Sequence, residues 1–388
     1  MSTDLLYSDT ERTLAAALRS LLADRSAPAA VLARTQTPDT CDAGLWHAAA
    51  AEIGLAGLLI PEALGGAGAS YRELAAAAEE FGAAVAPVPY LGSAVVATAA
   101  LLAAAAESPA AGLLRRLADG ELTAALAVPY TAWPGRPAGT GGFGWPGARV
   151  AGPRPGDTSA GVTRLRGTIR SVADALPAGV LLVFAGGVPD ALYAVEAAGP
   201  GVHLAPVVSL DMTRQLCDVT LDDVPGRPVA VGAAANAAVR AGLTAGAAML
   251  AAEQLGLAQR CLDMTVAYVK ERRQFARPVG SFQAVKHRLA DLWTAITQAR
   301  AVARYAAGCL AAGDPDTAVA VALAKAACSE TAVLAAEECV QLHGGIGFTW
   351  EHPAHLYLKR AKASASGFGT AGVHRAALAD LVNLPAPA

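Results

Sequence analysis

The sequence predicts a multi-domain α+β chain. An all-α N-terminal domain covers residues 1–120, a middle antiparallel β domain 121–232, and a C-terminal four-helix bundle 233–388. Three observations lead there. Helix-period apolar patterns fill the first third. Near residue 120 that period stops, and proline, glycine and short β-type runs take over. From about residue 233 long helical patterns return, the first almost free of charge between Arg240 and Glu253. A chain of 388 residues has room for two or three packed units.

In the first domain, Leu14, Leu18, Leu21 and Leu22 share a face of a helix over 9–26, with Asp9 or Thr10 as the expected cap. A second helix runs from about Asp42 to Ile53 and stops at Gly54. The loop Ile60-Pro61-Glu62-Ala63-Leu64-Gly65-Gly66-Ala67-Gly68 lacks the Lys-Ser/Thr that a P-loop requires, and reads as a structural turn. Ser70 caps a further helix through Phe81, which Pro87-Val88-Pro89 ends.

The middle domain carries strand-like runs at Leu122–Val128, Thr163–Arg166, Val180–Ala185, Ala191–Glu196 and Leu216–Leu221. Turns are expected at Gly167, Gly186-Gly187 and Gly199-Pro200-Gly201, and Pro225, Pro228 and Gly232 mark the exit. Helices then follow at about 234–274, 282–312, 316–342, Pro353 to before Gly367, and 372–382. Short connections between long helices make a bundle, and helices this apolar all round are expected to bury a face against other subunits.

Composition narrows the function classes. The chain is 54% apolar and 16% charged, with a net charge of −3. It lacks the broad basic face that nucleic acid needs. Apolar runs of spanning length are interrupted by Arg, Glu or Pro, and the N-terminus has no basic leader. The expectation is a soluble, cytoplasmic protein with no membrane partner. Six scattered cysteines without Cys-x-x-Cys spacing predict buried free thiols and no metal site.

One stretch stands apart. Glu271-Arg272-Arg273-Gln274-Phe275-Ala276-Arg277-Pro278-Val279-Gly280-Ser281-Phe282-Gln283 joins two long helices and concentrates arginine and phenylalanine in a chain otherwise poor in charge and aromatics. Such a basic helix–turn–helix corner could grip an anion. On spacing alone the plainer reading is favoured: a solvated helix end whose cations complement the dipole.

Longer motifs change that balance. Trp46…Ile53-Gly54-Leu55-Ala56-Gly57-Leu58…Pro61-Glu62…Gly65-Gly66-Ala67-Gly68 resembles the N-terminal signature of the FAD-dependent acyl-CoA dehydrogenases. Arg272-Arg273-Gln274-Phe275…Pro278-Val279-Gly280…Phe282-Gln283 and Gln341-Leu342-His343-Gly344-Gly345-Ile346-Gly347-Phe348 resemble its two C-terminal signatures. The likeness spans nearly the whole chain and implies the α, β, four-helix-bundle order and FAD as cofactor.

Residue by residue, the resemblance implies that Arg272 pairs with the FAD pyrophosphate of a neighbouring subunit, a task suited to a permanently charged guanidinium fork. Gln274 and Phe275 match neighbours of that grip, and Gln283 a glutamine near the adenosine half. Gln341, Gly344 and Gly345 match a backbone shelf for the pyrophosphate. Thr370 matches a threonine touching the cofactor. His343 reads as a helix-end histidine without a role.

Departures from the family pattern are equally informative. Dehydrogenation needs a carboxylate to take an α-proton while hydride leaves the β-carbon for the flavin, and a base must be titratable and within reach. The family places that glutamate just before Gly-Thr, where this chain has Phe368, or on the first bundle helix, where it has Gly246. Glu253, further along, reads as structural. The flavin-holding Thr-Glu-Pro segment corresponds to Val128-Pro129-Tyr130-Thr131-Ala132-Trp133-Pro134-Gly135. The Trp-x-Thr that normally lies against the ring becomes Ser171 and Ala173.

The resemblance therefore implies a subunit without a catalytic residue of its own. It would complete the FAD site of a sister acyl-CoA dehydrogenase subunit in a heterotetramer, as in actinobacterial enzymes acting on steroid side-chain CoA thioesters. Acyl-CoA is the implied substrate of the complex and electron-transfer flavoprotein the implied acceptor. Two alternatives stay open here: a stand-alone homotetramer using Asp174 or Glu253 as base, and a non-enzymatic acyl-CoA-binding or scaffold protein.

Overall fold

A computed structural model describes residues 4–104, 109–135, 148–151, 158–159, 162–186 and 189–385. Much of the proline- and glycine-rich stretch between Pro129 and Gly156, and Gly187 of an expected turn, lie outside the described residues.

The chain opens with α1 (Asp9–Arg25), α2 (Pro28–Arg34) and α3 (Ala43–His47), which continues as a wider π-type turn over Ala48–Glu52. After α4 (Tyr71–Ala84), a second wide segment, Tyr90–Ala97, leads into α5 (Thr98–Ala103), and α6 (Ala110–Ala118) follows. The strands are β1 (Ala124–Ala127), β2 (Ala148–Ala151), β3 (Thr158–Ser159), β4 (Val162–Ala173), β5 (Val180–Ala185), β6 (Ala191–Glu196), β7 (Val202–Val207) and β8 (Leu216–Val231). Then come α7 (Ala233–Glu271), the two-residue strands β9 (Arg273–Gln274) and β10 (Arg277–Pro278), α8 (Gln283–Ala312), α9 (Thr317–His343), α10 (Ala354–Ser364) and α11 (Ala371–Leu381).

Local chemistry explains several boundaries. The cap of α1 is Ser8, one residue before the expected Asp9. Its hydroxyl accepts the Glu11 N–H while the Glu11 carboxylate accepts the Ser8 N–H, a reciprocal capping box. Asp42 caps α3 by accepting from the Leu45 N–H at 2.9 Å. In the Ile60–Gly68 loop the amides of Ala67, Gly68 and Ala69 donate inward to the carbonyls of Gly57, Ile60 and Leu58. Those donors are spent on the turn, so the loop is held by its own backbone.

The chain divides into two compact units: residues 40–70 with 87–247, and residues 1–39, 71–86 and 248–388. The first contains the eight-stranded sheet, ordered β1-β5-β6-β8-β4-β2, with β3 on β4 and β7 on β8. Pairing is antiparallel except between β1 and β5. Strand β8 runs ten residues beyond the expected Leu221, through Pro225 and Pro228. Its first part pairs with β4 and β7, and its last part with β6. Pro228 sits opposite Tyr193 at a register shift, the kind of irregularity where a missing N–H is tolerated in a sheet. Leu165, Ile169, Val172, Leu181, Val183, Val195 and Val219 fill the sheet's core.

The second unit is mainly helical: α1, α2, α4, the part of α7 from residue 248, and α8–α11. The stretch Thr317–Phe348 is long and apolar enough to cross a membrane, yet 61% of its apolar window is buried inside the protein. Among the described residues all six cysteines are free, five of them buried.

Candidate functional site

The basic corner differs from the expected helix–turn–helix. The first long helix stops at Glu271, and the next residues fold into a hairpin in which Gln274 pairs with Arg277 and Arg273 with Pro278. Its two central residues are Phe275 (φ 51) and Ala276 (φ 62), the left-handed geometry of a type I′ turn. Arg272 closes the last helical turn, its N–H donating to the Tyr268 carbonyl at 2.8 Å. Its own carbonyl accepts from the Val279 N–H at 2.7 Å. Arg277 lies over the Phe282 ring at 3.9 Å, and Phe275 meets that ring edge-on at 6.2 Å.

This corner faces outward. Arg272, Arg273, Gln274, Arg277 and Gln283 are exposed, and Phe275 is 88% exposed. Among the described residues no carboxylate pairs with Arg272, Arg273 or Arg277. Lys270 and Lys286 add to the positive field, and both line a groove of about 420 Å³ with Val269, Pro278, Gly280 and Leu289.

The glycine turn at the end of α9 has matching character. Gly344 adopts φ 65 and ψ −140, a region closed to residues with a Cβ. A Cβ added at Gly344 or Gly345 would meet nothing within 4 Å, so the space above the turn is open. Gln341, Ile346, Phe348 and Trp350 are exposed around it. An open shelf beside unpaired arginines fits a diphosphate.

A ring stack brings the two motifs together. His343, the last residue of α9, is buried, and its ring stacks on Tyr268 at 4.5 Å and 27°. Tyr268 is the residue whose carbonyl holds Arg272. His343 also meets His352, tilted by 47°, with ring centroids 4.4 Å apart. Nearby, Arg288 of α8 grips Glu338 of α9 through two bonds of 2.7 Å. Sequence reasoning gave His343 no role and missed Tyr268. Its position one helical turn before Arg272 was the only available signal.

Thr370 is placed elsewhere. Its hydroxyl caps α11 by accepting the Val373 N–H, and it lines a groove with Ser329, Val333, Glu337, Lys362 and Ser366. That part of α9 lies about one to three turns before Gln341, about 6–18 Å along the helix.

At the positions where the family's base would stand, Phe368 is buried with φ 50, and its carbonyl accepts from His374 Nε2 at 2.8 Å. Gly246 lies inside α7. Glu253 is buried and ion-paired with Arg360 at 2.9 Å. Asp174, also buried, accepts the Gly92 N–H at 2.9 Å. The two segments corresponding to the flavin-facing ones do meet: Tyr130 donates its N–H to the Ser171 carbonyl at 2.9 Å. Ser171 has φ 53 at a bulge of β4 and donates to Asp218. The Tyr130 hydroxyl accepts from Arg214, with both residues buried.

One further cluster was not foreseen. Lys325 is fully buried, its Nζ 2.7 Å from Ser329 Oγ and 3.3 Å from the Ser364 carbonyl. Gln254 joins Ser329 to the Ser364 hydroxyl. Burial lowers the Lys325 ammonium to about 7.

A helical N-terminal region, a middle β-sheet and a helical bundle with an arginine corner against a glycine turn define the architecture of a flavin-dependent acyl-CoA dehydrogenase. Butyryl-CoA dehydrogenase from Megasphaera elsdenii shares it (TM-score 0.85, 22% identity, covering 98% of this chain and 100% of that one). The family's N-terminal domain description matches residues 8–121 and its C-terminal domain description residues 236–382. The acyl-CoA dehydrogenase IpdE2 of Mycobacterium tuberculosis is 36% identical over 348 residues, 89% of each chain. Its namesake in Mycolicibacterium smegmatis is 33% identical over 370 residues, covering 93% of this chain and 95% of that one. This chain belongs to the acyl-CoA dehydrogenase family, whose members are FAD-binding oxidoreductases. Two solved structures of pairs are also similar. The Tcur3481–Tcur3483 steroid ACAD has a TM-score of 0.81 and 31% identity, over 97% of this chain and 98% of that one. The ChsE4–ChsE5 complex from Mycobacterium tuberculosis has a TM-score of 0.83 and 26% identity, over 99% and 100%.

Proposed function

We propose that this chain is the non-catalytic subunit of a heteromeric acyl-CoA dehydrogenase, a cytoplasmic enzyme that introduces an α,β double bond into an acyl-CoA thioester. Its likeness to the steroid ACAD supports a steroid side-chain CoA thioester as substrate. The carrying observation is the division of the site. The position of the base holds a buried phenylalanine, Phe368, while the arginine corner and the glycine turn are exposed and intact. Glu253 is committed to Arg360 and Asp174 to a backbone amide, so neither is placed as a free base.

FAD, when bound to the complex, accepts the hydride. The residues here that would hold it are Arg272 on the pyrophosphate, Gln274 and Phe275 beside it, Gln341, Gly344 and Gly345 beneath it, Gln283 towards the adenosine half, and Thr370. Small side chains at Ser171 and Ala173, with the Tyr130–Arg214 pair beside them, do not fit this chain's own flavin ring. The sister subunit would supply the base, the ring-holding β domain and the acyl pocket, with electron-transfer flavoprotein as acceptor. In this reading residues 1–120, 121–232 and 233–388 act as the three family domains.

The test is purification of the chain alone and with a co-expressed sister dehydrogenase. The expected result is no flavin absorption in the lone chain, flavin in the complex, and a lower flavin content with Arg272→Ala. One FAD per lone chain together with acyl-CoA oxidation would overturn the proposal.

A further inference from the structure

His343 of the glycine motif was left without a task, and its surroundings give it one. The buried ring stacks on Tyr268 at 4.5 Å and meets His352 at 4.4 Å, tilted by 47°. Its Nδ1 lies 2.6 Å from the Cys339 carbonyl. A carbonyl only accepts, so Nδ1 carries the proton, and the side chain closes the last turn of its own helix. His352 is pinned as well: its Nδ1 accepts the Ala354 N–H at 3.2 Å, at the start of α10. Burial, with His343 beside it, lowers its basicity and keeps that nitrogen free to accept. These two ring contacts therefore join the ends of α7 and α9 to the beginning of α10. The functional groups lie close by: the Tyr268 carbonyl holds the Arg272 amide four residues on, and His343 directly precedes Gly344.

We infer that His343 is a positioning residue that fixes the arginine corner relative to the glycine turn, and so sets the spacing of the two halves of the diphosphate grip. The inference rests on the reading of Arg272 and Gly344-Gly345 as that grip. Offset aromatic contacts of this kind contribute a modest but directional preference, and here they connect segments that no described backbone hydrogen bond joins.

Two variants separate the ring from the hydrogen bond. His343→Asn keeps an N–H donor near Nδ1 and removes the ring; His343→Phe keeps the ring and removes the donor. In the complex with the sister subunit, FAD titrated by its fluorescence should bind about three- to tenfold more weakly to the Asn variant. The Phe variant should recover to within about twofold of the parent. Amide exchange of the 344–350 turn in the full chain alone should speed up with Asn and return with Phe. Should His343→Asn fail to fold, Tyr268→Leu removes the facing ring from α7 and carries the same expectation. Unchanged FAD affinity in the Asn or Leu variant, or a Phe variant no better than Asn, overturns the positioning role. Arg272→Ala is the separate control. If it leaves FAD affinity unchanged, the grip reading itself falls, and the positioning role with it. If it weakens binding while the His343 variants do not, only the positioning role falls.

Discussion

Gly82 of α4 and Gly256 of α7 each press against the other helix's backbone. A Cβ on Gly82 would lie 1.9 Å from the Glu253 carbonyl oxygen, and one on Gly256 1.8 Å from that of Glu79. Neither contact involves a flexible side chain that could turn aside, so an added methyl must push two helices apart. Overpacking of this kind typically costs about 1–3 kcal/mol and more where backbone is the obstacle. Gly256→Ala is expected to lose at least that much, seen as a lower midpoint in urea. An unchanged midpoint would mean that the helices separate freely.

The close approach sets up the buried pair beside it. Glu253 and Arg360 bond at 2.9 Å with both side chains almost fully buried. Removing one partner leaves a buried charge without its counter-charge, at a cost of roughly 3–5 kcal/mol. Glu253→Gln should therefore destabilise the chain strongly. Replacing both with methionine should recover most of the loss, since well-packed apolar residues can substitute for such a pair. A base would behave differently: Glu253→Gln would abolish turnover by the complex while thermal stability stayed at the parent value.

Lys325 gives a dependence on pH whose sign can be worked out. The folded ammonium releases its proton near 7 because burial disfavours the charge, against 10.5 for the ordinary group. Between those values the unfolded chain binds a proton that the folded chain does not, so stability rises with pH across that window. Below about 7 both states are protonated and the burial cost is present in full. Lys325→Met should flatten the rise between about pH 7 and pH 9 and add roughly 2–3 kcal/mol at neutral pH. The upper limit of that window matters, because the buried Cys328 thiol, pushed up to about 12, opposes the trend at higher pH. Chemical denaturation at several pH values measures it; parallel profiles for the two proteins would place the lysine in solvent.

These residues also show what the sequence carried. Arg272–Gln283 and Gln341–Phe348 were legible because each is a contiguous run of residue types with few other uses. The strands Val180–Ala185 and Ala191–Glu196 were legible because buried β-type runs ended in turn residues. Lys325 sits among alanines in the apolar first half of its helix, where no period separates inside from outside. The Tyr268–His343 stack joins residues on different helices, and nothing local to either marks the other. Strand β8 was cut short at Leu221 because Pro225 and Pro228 usually end strands, whereas here a register shift absorbs Pro228.

The hairpin was missed for a related reason, and it offers the last test. Type I′ turns favour Asn-Gly or Gly-Gly, because both central residues need positive φ; Phe275 and Ala276 carry no such signal. Holding an alanine in the left-handed region costs about 1–2 kcal/mol. Ala276→Gly removes that cost but frees the unfolded chain, which gives back about 0.5–1 kcal/mol. The net expectation is a hairpin more stable by about 0.5–1 kcal/mol, read as slower amide exchange within 273–278. Ala276→Pro should do the reverse, because proline fixes φ near −65° and cannot enter the turn. Arg272 precedes the hairpin and is anchored separately through Tyr268, so its grip should survive Ala276→Gly. FAD content of the complex should then match or exceed the parent value. Faster exchange in the glycine variant would show that the left-handed pair is not the conformation held in solution.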